Sequence, residues 1–134
     1  MGVNPANVKA ITIENPAYQI VQVASISDDM KKTITAPTVK DIVSDYFKDT
    51  PILAKVAGCE SEFRQVDSNG NILRGIENHG DVGVMQINET YHLDRATKLG
   101  LNIYTLQGNM AYAKVLYNEF GTAPWMASSA CWSK

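Results

Sequence analysis

An acidic residue closes the apolar face of a helical pattern, and that placement restricts how the chain can fold. After Thr50-Pro51, the residues Ile52, Leu53, Val56 and Ala57 recur on one face, and Glu60 follows Val56 by one turn. A carboxylate beside an apolar face is expensive to keep unless something uses it. A second constraint lies downstream in Gly83-Val84-Met85-Gln86-Ile87-Asn88, a short and mostly apolar run. It opens on a glycine, which permits close backbone approach, and carries two side-chain amides.

The remaining pattern frames these two stretches. Residues 1–36 read as an extended or β-like arm, structural or partner-docking in role. In it Ile11-Thr12-Ile13 alternates, Ile20 to Ile26 is apolar and β-branched, and Asn15-Pro16 breaks between them. Residues 37–134 are expected to form the main domain, and a chain of 134 residues can build one real core. Thr38 is an N-cap candidate with Asp41 as its capping-box partner, ahead of Val39, Ile42, Val43, Tyr46 and Phe47 at helical spacing. Pro51 suits the first turn of the next helix, with Thr50 as cap. Asp67-Ser68-Asn69-Gly70-Asn71 predicts a turn, and with its flanks a small hairpin. Asn78-His79-Gly80-Asp81 predicts a second turn. Asn88 and Thr105 are the following cap candidates, with Gly100 and Gly121 as stops. Leu106, Met110, Ala113, Tyr117 and Phe120 form an apolar stripe expected to be core, and Pro124 opens a last short helix. The expected fold is mainly α (α+β), with a small β-hairpin or loop insertion after the helix carrying Glu60.

Several function classes are disfavoured. The net charge of −2 gives no basic footprint for nucleic acid. No run is long and apolar enough to span a bilayer, and Met1 to Lys9 lacks the pattern of a signal peptide. No metal or other cofactor is expected: there is no Cys-x-x-Cys pair, and His79 and His92 are isolated, each read as a surface or loop residue. The two cysteines, Cys59 and Cys131, are open to one disulfide or two buried free thiols.

Burial raises a carboxyl pKa, and an acid so tuned can protonate a leaving oxygen near neutral pH. Hydrolysis of a glycoside usually needs a second carboxylate, for which Glu62, Asp67, Glu77 and Asp81 are candidates, none paired with Glu60 by spacing. On composition alone Glu60 reads as a capping or surface acid.

Glu60-Ser61-x-Phe63, then Asp81-Val82-Gly83-Val84-Met85-Gln86-Ile87-Asn88, then Gly108-Asn109-Met110 resembles the transglycosylase SLT domain. This is the lysozyme-like family of lytic transglycosylases, related to goose-type lysozyme. With His92-Leu93 after that block, the chain is similar to the small transglycosylases of secretion and conjugation systems. The likeness covers about residues 39–132. A Glu-Ser pair alone is a weak signal; followed at this distance by Gly-x-Met-Gln-Ile-Asn it is specific.

The resemblance implies a lysozyme-like fold over 37–134 and a peptidoglycan substrate. Glu60 matches the family's catalytic acid and base, cleaving the β-1,4 bond between N-acetylmuramic acid and N-acetylglucosamine to leave a 1,6-anhydro ring. Gly83, Val84, Met85 and Gln86 match the floor of the site. Gly83, Gln86 and Ser61 are expected substrate contacts, Asn88 a contact or a helix cap, and Met85 core. Glu77 and His79 are weaker candidates. The family's C-terminal tyrosine motif is not matched. Cys131 stands where the tyrosine is expected, and Trp132 is either a stacking face or core. Because that tyrosine lies beside the catalytic acid, Cys59 and Cys131 are expected to converge in a disulfide. The resemblance further implies a monomer acting in the periplasm, at the cell wall or outside the cell. Two other functions stay open: a lysozyme-type hydrolase with Glu77 or Asp81 as second carboxylate, and a non-catalytic peptidoglycan-binding module.

Overall fold

A computed structural model describes residues 35–134, so the arm expected over 1–36 lies, but for its last two positions, outside the described residues. Among the described residues the fold is mainly helical with one two-stranded antiparallel sheet. Helix α1 (Val39–Tyr46) starts at the expected capping box: the Asp41 N–H donates to the Thr38 hydroxyl at 3.2 Å, and the Thr38 N–H donates to the Asp41 carboxylate at 3.0 Å. Helix α2 (Pro51–Ser61) carries proline in its first turn. Thr50 occupies the cap position without capping. Its hydroxyl instead accepts from Lys114 Nζ at 2.9 Å, tying the start of α2 to a later helix.

The chain leaves α2 abruptly. Glu62 and Phe63 both adopt left-handed backbone angles, φ 53° and 59°, each costing on the order of 1–3 kcal/mol for a residue with a side chain. The expected hairpin over 63–73 reduces to a single bridge, Val66 with Ile72. Its turn is held by the Asp67 carboxylate, which accepts from the Asn69 and Asn71 N–H groups. The strands proper are β1 (Asp81–Val82) and β2 (Ile87–Asn88), paired Asp81 with Asn88 and Val82 with Ile87. The turn between them, 83–86, is the run singled out in the sequence.

Asn88 caps α3 (Glu89–Lys98), and Thr105 caps α4 (Leu106–Phe120). The predicted stripe on α4 is too narrow and too long. Asn109, Tyr112 and Leu116 are buried together with Met110 and Ala113, whereas Phe120 is 56% exposed. The helix passes through the middle of the domain, so burial spreads round it; its last turn runs out into solvent. A 3-10 segment (Ala123–Ser128) and a short helix α5 (Ser129–Trp132) follow. Helix α2 packs against α1, α5 and the 3-10 segment, around a core that includes Phe47, Leu53, Val56, Met85, Met110 and Trp125. Cys59 and Cys131 are bridged across 72 residues of chain, with Cα atoms 6.0 Å apart, joining α2 to α5. Among the described residues no helix is long and apolar enough to cross a membrane.

Candidate active site

The turn 83–86 is fixed by side chains from other parts of the fold. The Val84 N–H donates to Gln65 Oε1 and the Val84 carbonyl accepts from the Ser61 hydroxyl, both at 2.8 Å. The Met85 N–H donates to Asn109 Oδ1 at 2.8 Å, and the Met85 carbonyl accepts from the Trp125 indole at 2.9 Å. Backbone polar groups buried here must be paired, and these four are paired with side chains rather than with a strand. Asn109 also donates to the carbonyls of Val82 and Ile103, so one amide binds three chain segments. Gly83 stands at φ 76°, and a Cβ there would lie 2.5 Å from Asn109 Nδ2 and 2.8 Å from Gln65 Oε1. Gly108 is required for a different reason: a Cβ would meet the Asn102 carbonyl oxygen at 1.8 Å, where α4 starts against the preceding loop.

A groove opens beside this turn. Its polar lining is Glu60, Asp81, Gln86, Asn88 and His92, and its apolar lining includes Ile87, Leu116, Pro124 and Trp125. Glu60 is half-buried at the end of α2. Burial pushes its carboxyl above the ordinary glutamate range; a hydrogen bond from Ser128 pulls it back in part, and the negative charge of Asp81 adds to the rise. The Ser128 hydroxyl lies 2.6 Å from Glu60 Oε1. Asp81 accepts from the Asn88 amide at 2.8 Å, while the Asn88 amide oxygen accepts from the Tyr91 N–H at 3.3 Å. Asn88 is thus the helix cap and lines the groove as well. Gln86 has a left-handed backbone, φ 51°, and donates to the Gly83 carbonyl at 2.9 Å; its amide retains donor and acceptor capacity toward the groove.

Three expected substrate contacts have internal roles instead. Ser61 is buried, its hydroxyl occupied by the Ala57 and Val84 carbonyls. Gly83 is buried against Asn109 and Gln65. Trp132 is 7% exposed, its indole donating to the Trp125 carbonyl and to Ser128, so it is core and offers no stacking face. Glu77 and His79 are exposed on the loop before β1 and do not line the groove. Glu60, Gln86 and Asn88 are brought together.

Two residues, one lining the groove and one bonded to Glu60, escaped the sequence reading. His92, read as an isolated surface residue, is half-buried, with Nδ1 3.0 Å from the Tyr112 hydroxyl. Burial, and then the charge of Arg95, hold its pKa below the usual histidine value. The step of four from Asn88 to His92 to buried Ala96 was the available signal, since it puts all three on one face of α3. Ser128 was missed entirely, although its spacing of three from Trp125 and four from Trp132 places it with both indoles. Among the described residues no three His, Cys, Asp or Glu side chains converge as a metal site. No family model, curated protein or solved structure matches the chain.

Proposed function

We propose that this protein is a peptidoglycan lytic transglycosylase that cleaves the β-1,4 bond between N-acetylmuramic acid and N-acetylglucosamine, with Glu60 as general acid and then base. The observation that carries the reading is Glu60 itself: a half-buried glutamate whose acid form burial favours, facing a groove beside a rigid turn. Glu60 gives its proton to the glycosidic oxygen. The resulting carboxylate takes a proton from the C6 hydroxyl of the muramic residue as that oxygen closes on C1, leaving a 1,6-anhydro ring. No water is consumed, so one carboxylate suffices. Gln86, through its remaining amide capacity, is the candidate partner for an N-acetyl group. The Cys59–Cys131 bridge fits work in an oxidising compartment, where such a substrate lies.

A second reading, a lysozyme-type hydrolase of the same bond, is favoured by one observation: Asp81 lines the groove and its charge bears on Glu60. Against it, Asp81 is already engaged by the Asn88 amide. Mass spectrometry of digested peptidoglycan separates the two. Anhydro-muropeptides are expected; reducing-end muropeptides would establish the hydrolase, and no released product would end both readings. Glu60→Gln keeps size but delivers no proton, and is expected to lower the rate about a hundred- to ten-thousand-fold. With its acid form favoured by burial, the wild-type rate should fall as pH rises through the elevated Glu60 midpoint.

A further inference from the structure

The Ser128 hydroxyl has a single proton and two acceptors in reach. Glu60 Oε1 lies at 2.6 Å and the Trp125 carbonyl oxygen at 3.1 Å, and the proton can point to only one of them at a time. The Ser128 oxygen is itself an acceptor, for the Trp132 indole N–H at 3.0 Å. That indole also donates to the Trp125 carbonyl at 3.1 Å, so Trp132 does not depend on the serine for a partner. The arrangement has two satisfied states. With Glu60 ionised, Ser128 donates to the carboxylate, a charge-assisted bond. With Glu60 protonated, the carboxyl O–H donates to the Ser128 oxygen and the serine proton turns to the Trp125 carbonyl.

We propose that Ser128 is a positioning residue that turns its hydroxyl between Glu60 and the Trp125 carbonyl, so that Glu60 is hydrogen-bonded both as acid and as base. This rests on the reading of Glu60 given above, and it deepens it. A single carboxylate serving both half-reactions must change charge in a partly dry groove. Without an adjustable partner, one of its two forms would be left unpaired. Ser128 transfers no proton. It rotates once when Glu60 loses its proton to the leaving oxygen, and back when Glu60 recovers one from the C6 hydroxyl. The partner that the structure sets beside the acid is a serine hydroxyl from the C-terminal tail.

The test is a direct titration of the Glu60 side-chain carboxyl by carbon NMR in the full chain with its disulfide intact, which needs no catalytic activity. Asp81 and His92, the other titratable groups lining the groove, are followed in the same spectra. Ser128→Ala should raise the Glu60 midpoint, because the bond that favours the charged form is gone. Ser128→Thr, which keeps the hydroxyl, should leave it near the wild-type position. In cleavage assays the high-pH limb of the rate profile should move upward with the alanine variant and stay with the threonine variant. An unchanged Glu60 midpoint in Ser128→Ala overturns the proposal, as does a threonine variant that shifts as far as alanine. Absence of cleavage by the wild-type protein would instead remove the enzymatic reading and leave the titration result standing.

Discussion

The stretches on either side of β1 are held by side chains of different kinds. After the strand, the turn 83–86 is pinned by neutral, buried hydrogen bonds with the side chains of Gln65, Ser61, Asn109 and Trp125. Before it, the loop 74–80 is anchored at its ends by backbone bonds, Gly75 N–H to the Asp81 carbonyl and Glu89 N–H to the Gly80 carbonyl, both at 2.8 Å. Its side chains hold it at the surface by charge: Arg74 donates to Glu89 at 2.7 Å and to the His79 carbonyl at 2.9 Å, and the Tyr104 hydroxyl donates to Glu89 at 2.6 Å. Buried amide bonds are costly to break because the orphaned groups cannot reach water. A surface ion pair is cheap to break and screened by salt. The two stretches therefore share a strand but should differ in rigidity, with the firm one forming the groove wall and the loose one carrying exposed Ile76, Glu77 and His79.

The largest way to break this contrast is to release the tail that carries Trp125. Replacing Cys59 and Cys131 by serine opens a loop of 72 residues, for which chain entropy gives a loss of about 4 kcal/mol, read as a lowered denaturation midpoint. Amide exchange at Met85 should then quicken, and that at Gly80 should not. Next comes Asn109→Leu, which leaves the Met85 N–H and the Val82 and Ile103 carbonyls unpaired. About 3 kcal/mol or more is expected, again by chemical denaturation, and a loss below about 1 kcal/mol would show that the turn is not held as described.

A smaller and pH-dependent effect should attend Glu60→Gln. The folded-state pKa of Glu60 is raised, so the carboxyl favours folding below its unfolded value and loses that advantage as pH rises through the folded one. The glutamine variant should accordingly be the more stable protein at neutral pH, with the gain vanishing in acid; equal midpoints at both pH values would contradict the burial of Glu60. Glu89 has the opposite sign. The Arg74 hydrogen bond, then that of Tyr104, lowers its pKa, so its contribution is present above the unfolded value and is lost as pH falls through the folded one. The smallest effect belongs to Arg74→Gln. Stability should barely change, while amide exchange at Gly80 and Asp81 quickens and exchange at Val84 and Met85 stays slow. High salt should reproduce this in the wild type, and equal responses in both stretches would erase the contrast.

Features set by neighbours in sequence were legible. The Thr38–Asp41 capping box, Pro51 in a first turn, Thr105 as a cap, and Glu60 one turn past Val56 all depend on a few consecutive residues. What could not be read was set by distant partners. Ser61 looked like a groove residue because it adjoins Glu60, yet one step along a helix turns a side chain by about a quarter of a circle, here into the core. His92 looked isolated because its partner, Tyr112, lies on another helix 20 residues away. Ser128 meets Glu60 across 68 residues, and nothing local marks a serine for that contact. The disulfide was expected only through the family resemblance; the two cysteines by themselves left free thiols open as well.

The placement of Trp125 and Trp132 has an optical consequence. They are the chain's two tryptophans, so nearly all emission excited at the red edge of protein absorption comes from one short tail. One indole is bonded to the turn beside the groove, and the other to the serine that touches Glu60. The protein thus contains a spectroscopic probe of its own candidate site, through which occupancy of the groove or release of the tail can be followed without any label.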